Sequence, residues 1–115
     1  MVIYKKNQDV ILYVNCCGGD GTTLVTDLLK DEKLYKNAKL VAHAKLESKS
    51  SIGYHVHERE MEAYIIIKGQ GIYNDNGKEV EVNVGDVTLT FSSEGHAIKP
   101  KSGETLEFIA VICEK

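Results

Sequence analysis

The chain has 115 residues, 43% hydrophobic and 27% charged, which suits one globular domain and leaves no room for two substantial cores. Its 14 basic residues are scattered among 17 acidic ones, for a net charge of −3, and this excludes the clustered cationic surface that a nucleic-acid partner requires. No stretch approaches the roughly 18 apolar residues of a membrane span, and the N-terminal MVIYKKNQDV has no long apolar core after its charges, so a soluble, cytoplasmic protein whose partner is a small molecule or another copy of itself is expected.

Short apolar runs rich in Val, Ile and Tyr, separated by Gly, Asn, Asp and Ser clusters, predict an all-β chain. The first predicted strand covers 9–14. It leads into Cys16-Cys17-Gly18-Gly19-Asp20-Gly21, a glycine-rich turn rather than a phosphate loop, because no helix-forming segment with Lys-Ser or Lys-Thr follows. An odd number of cysteines, with Cys16 and Cys17 adjacent, does not make the spaced framework of a secreted disulfide scaffold; reduced thiols are expected, and Cys113 reads as a small core residue.

Strands follow at 22–29 and 39–47, separated by the polar residues 31–37, the one place where a helical turn fits, although a loop fits as well. His43, in the second of these, reads as an ordinary packed or exposed histidine. After strands at 53–57 and 62–68, Asn76-Gly77 marks a hairpin between 71–74 and 78–83, since a type I′ turn needs positive φ at both central positions. The last strands are 87–91, 96–99 and 105–113. Many short strands at such spacing point to a sandwich or a barrel, and periodicity does not separate the two.

The stretch GYHVHEREMEAYIIIKG carries the chemistry. Residues two apart on a strand share a face, so His55 and His57 converge while Tyr54 and Val56 face away. After the polar turn 58–61 the chain reverses, and Glu62, Tyr64 and Ile66 share the inward face of the next strand. Two imidazoles and one carboxylate so arranged resemble the facial ligand set of non-haem iron sites, with coordination positions left open. Glu58, Glu60 and Glu94 read as solvated loop charges in preference to the alternative, acceptors for the second N–H of a ligating histidine or general bases. Nothing in the spacing alone places His96 beside His55.

A resemblance does. The pattern H-x-H, four residues, E, six residues, G, met by His55, His57, Glu62 and Gly69, is similar to the first motif of the cupin superfamily, and Gly85-Asp86 through His96 resembles its second. The resemblance covers about residues 40–112. It departs from the family at Lys49, where the first motif opens on glycine, and at Phe91, Ser93 and Pro100 in the second. It implies a double-stranded β-helix, the jelly-roll cupin barrel, spanning 40–112, with residues 1–39 packed on it or on a partner.

It also implies one divalent transition metal ion (Fe, Mn, Ni, Co or Zn) held by His55, His57, Glu62 and His96, with Tyr64, Ile66 and Phe91 lining a pocket for a small oxygen-rich ligand. Dioxygenase and isomerase chemistry are both compatible with such a site, as is a sensing role in which the metal only anchors an effector. Small cupins are commonly dimers, and a homodimer formed through the strand around 9–14 is expected.

Overall fold

The computed structural model describes all residues, Met1–Lys115. Each expected apolar run forms a strand: β1 (Val10–Val14), β2 (Thr22–Leu29), β3 (Ala38–Leu46), β4 (Ile52–Val56), β5 (Glu60–Lys68), β6 (Gly71–Asp75), β7 (Lys78–Val82), β8 (Val87–Thr90), β9 (Gly95–Pro100) and β10 (Leu106–Glu114). Residues 31–37 hold a single 3₁₀ turn at Asp31–Lys33. No helix is long and apolar enough to cross a membrane.

The strands pair antiparallel throughout, in a six-stranded sheet of order β1-β2-β3-β10-β5-β8 and a four-stranded sheet of order β4-β9-β6-β7. The C-terminal β10 lies between β3 and β5, and β9 between β4 and β6, the crossed pairing of a double-stranded β-helix. Asn76 and Gly77 both adopt positive φ, 51° and 102°, and close the β6–β7 hairpin as their sequence requires.

Period-two alternation puts Leu46, Ile66, Tyr73, Ile98, Leu106 and Phe108 between the sheets, all essentially inaccessible to solvent. Each such aliphatic or Phe side chain stabilises the fold by about 1.5–3 kcal/mol relative to an exposed one. β2 hydrogen-bonds to β3, so the N-terminal hairpin extends the larger sheet of its own chain. Its outer strand β1 is exposed at all five residues, an apolar sheet edge.

Candidate metal centre

Four side chains meet at one end of the barrel. His55 on β4 and His96 on β9 are direct cross-strand partners. Glu62, near the start of β5, pairs with Thr90 of β8. His57 follows the end of β4, where its backbone N–H donates to the Glu94 carbonyl and its carbonyl accepts from Ser93 N–H, so the loop before β9 is tied to the β4 end.

Nε2 of His96 lies 3.0 Å from Nε2 of His57, 3.1 Å from Nε2 of His55 and 3.0 Å from Oε1 of Glu62. Nε2 of His57 lies 2.9 Å from the same carboxylate oxygen, and Nε2 of His55 lies 4.0 Å from it. One ligand atom from each of the four falls within 4.8 Å of all the others.

The far side of each ring is fixed. Nδ1 of His55 donates to the Gly53 carbonyl at 2.8 Å, and Nδ1 of His57 donates to the Glu60 carboxylate at 2.7 Å. Nδ1 of His96 is bonded to the hydroxyls of Tyr73, at 2.8 Å, and Thr90, at 3.0 Å. A carbonyl and a carboxylate only accept, so neutral His55 and His57 carry their protons on Nδ1 and turn Nε2 lone pairs into the cluster.

Lone pairs about 3 Å apart repel unless a cation lies among them, and ligands at right angles about 2.1 Å from an ion are themselves ~3 Å apart. The donor set therefore fits a divalent ion in both chemistry and spacing. Nitrogen with one carboxylate oxygen suits Fe, Mn, Co, Ni or Zn alike.

Burial alone would raise the Glu62 carboxyl, but the attraction of the surrounding imidazoles when they are protonated outweighs it and holds the group at about 2, ionised across the physiological range. The nearby Glu62 carboxylate raises His55 against its burial, whereas burial lowers His96. Only His55 has a substantially open side chain, so the site is reached from that side.

There it meets a cavity of about 290 Å³, faced by His55, His57 and Glu62. Tyr64 lines the cavity and stacks on the His96 ring, 4.9 Å between centroids at 21°, and burial pushes its phenol well above the usual range. Ile66 and Phe91 do not line it. Ile66 lies deeper along the same strand face, in the core. Thr90 takes the inward position at the end of β8, so Phe91 is turned out to solvent.

Five further residues complete the site. Glu60, read as a loop charge, orients His57 and is itself held by Lys39 at 2.8 Å. Tyr73 and Thr90 orient His96, and their place follows from alternation once β6 and β8 are known to face the site. The adjacent Cys16 and Cys17 line the cavity as free thiols, their sulfurs 3.8 Å apart. Burial, with the neighbouring Cys17, pushes Cys16 up to about 11. His43 stays outside the site, hydrogen-bonded to Glu107.

A jelly roll with three histidines and a glutamate at one end defines a cupin, and the chain belongs to that family: residues 42–112 match the cupin domain. It is 44% identical over 98 residues to an oxalate-binding protein of Thermotoga maritima, covering 85% of this chain and 81% of that one. A Thermotoga maritima crystal structure described as a "predicted oxalate decarboxylase" superposes with a TM-score of 0.94 over the whole of both chains, at 39% identity. The polyketide cyclase RemF of Streptomyces resistomycificus shares the fold alone, with a TM-score of 0.77 at 19% identity over 99% of this chain and 78% of that one.

Proposed function

We propose that this cupin holds one divalent transition metal ion on His55, His57, Glu62 and His96, and uses it to bind a small oxygen-rich acid in the adjoining cavity. The observation that carries this reading is the convergence of three Nε2 atoms and one carboxylate oxygen, with every Nδ1 already engaged elsewhere. The oxalate-binding relative supports a small acid as the ligand class.

A bound ion would supply open coordination positions and Lewis acidity, the setting for dioxygenase or isomerase chemistry. The chain's own residues orient the ligand set through Glu60, Gly53, Tyr73 and Thr90 and keep water from the far wall with apolar side chains. Apart from Glu62 no carboxylate, and no lysine or arginine, lines the cavity to move a proton. That favours binding or sensing over turnover. Screening metal-loaded protein against 2-oxo and 2-hydroxy acids under air separates the two: steady product formation abolished by Glu62→Gln would establish an enzyme.

The exposed apolar strand β1 supports a homodimer, and the unpaired cysteines accord with a cytoplasmic location.

A further inference from the structure

The cavity beside the four ligands is made by small residues at defined places. On the inward face of β3 the sequence reads Leu40, Ala42, Ala44, Leu46, and on that of β10 Leu106, Phe108, Ala110, Ile112. Ala42 and Ala110 are direct cross-strand partners, and Ala44 faces Phe108. Large side chains fill the closed end of the barrel, while the alanines leave the end beside His55 and Glu62 hollow.

The remaining wall is apolar or neutral. Val25, Leu40 and Ile112 contribute hydrocarbon, Cys16 and Cys17 thiols and Tyr13 and Tyr64 phenols, and neither lysine nor arginine reaches the space. The two lysines that adjoin wall residues in sequence are engaged elsewhere, Lys39 by Glu60 and Glu114 and Lys45 by Glu47.

Charge then selects among small acids. This step rests on the metal reading proposed above. A divalent ion with ionised Glu62 leaves one net positive charge. A monoanion neutralises it, whereas a dianion such as oxalate leaves a net negative charge against a largely apolar wall with no cationic side chain to offset it, which is costly. From the charge balance and the alanine-walled hollow we infer that the ligand of this site is a monoanionic chelate with a short apolar tail, a 2-oxo or 2-hydroxy acid whose branched or aromatic substituent of a few carbons packs against Ala42, Ala110, Val25 and Ile112. A cavity of about 290 Å³ sets the upper size, since it sits at the small end of ligand sites.

The test uses full-length protein loaded with Co(II), whose ligand-field absorption reports both the ion and what binds to it. Pyruvate, 4-methyl-2-oxopentanoate and oxalate are titrated, each dissociation constant being divided by that ligand's constant for aqueous Co(II). The tail should tighten binding at least tenfold over pyruvate, and on the normalised scale oxalate should fall below both 2-oxo acids. Ala42→Leu, which fills the hollow with hydrocarbon, should erase the difference between the two 2-oxo acids while Co(II) and pyruvate still bind. Ala110→Leu provides the same test should the first variant fail to fold. Equal affinities for pyruvate and 4-methyl-2-oxopentanoate, or oxalate favoured on the normalised scale, would overturn the ligand class with the metal site intact. Failure to take up Co(II) at all would overturn the metal reading and this inference with it.

Discussion

The Tyr73 hydroxyl sits 2.8 Å from Nδ1 of His96, on the side of the ring remote from the cluster, and is shared with Thr90 Oγ1 at 2.7 Å. His96 is the most deeply buried of the four candidate ligands, and its ring is oriented by these two hydroxyls from strands β6 and β8 rather than by a partner on its own strand. Such partners set the tautomer and aim of a ligating imidazole. Tyr73→Phe should therefore weaken metal binding by about 10–100-fold while costing the metal-free fold only about 1 kcal/mol. Competition against a chromogenic chelator, beside a urea melt, reads the two effects separately. Unchanged metal affinity would remove Tyr73 from the site.

Glu60 has the same office for His57 from the opposite side. Glu60→Gln keeps a hydrogen-bond acceptor but removes the charge, so its loss of affinity should be smaller than that of Glu60→Ala. An equal effect of the two changes would mean that Glu60 acts through charge alone.

Gly53 is tied to the site by its backbone. Its carbonyl accepts from His55 Nδ1, and a Cβ at this position would lie 2.2 Å from the Cys17 carbonyl oxygen. The turn that carries the two cysteines is thus pressed directly onto β4. Gly53→Ala should destabilise the fold by about 3 kcal/mol through overpacking, whereas Gly77→Ala, with nothing within 4 Å of the new atom, should cost only the strain of its positive φ. Chemical denaturation of both variants checks the contrast, and similar losses would contradict the close packing at Gly53.

The strands and their inward faces were legible because β structure with one buried face writes itself as period-two alternation, and residues 60–68 keep it without interruption through Glu62, Tyr64 and Ile66. His55 and His57 were legible for the same reason. His96 needed the family motif, since the cross-strand register of β4 and β9 is a long-range pairing that local pattern does not encode. Phe91 was misplaced by one residue of phase at a strand end, enough to invert its direction. Glu60 looked like a loop charge because its partner, Nδ1 of His57, is defined only when the turn between β4 and β5 is closed.

Away from the site, acid sensitivity should come in part from Glu107. Burial would raise this carboxyl, but the hydrogen bond from His43 at 2.8 Å and the nearby Lys68 and Lys45 charges hold it below its ordinary value of 4.5. A carboxyl depressed in the folded state contributes stability that is present above 4.5 and is lost as pH falls through the lower folded value. Glu107→Gln should be less stable than the parent by ~1 kcal/mol or less at neutral pH, and the gap should close as pH falls below 4.5. Thermal melts at neutral and acid pH check the sign. A gap that widens on acidification would contradict it.

The exposed β1 strand makes a prediction about assembly. If a second copy covers it, light scattering at micromolar concentration should give twice the chain mass of 12.7 kDa, and Leu12→Lys should restore the single mass. A parent protein that scatters as a monomer would remove the dimer.

The most direct measurement is the metal content of tag-free protein by mass spectrometry, for the parent and for His57→Ala. The geometry of the four ligands predicts about one equivalent of transition metal in the parent, lost in a variant that circular dichroism shows to be folded. A parent that takes up none after exposure to Fe, Mn, Ni and Zn, or a folded His57→Ala that keeps a full equivalent, would contradict the metal centre.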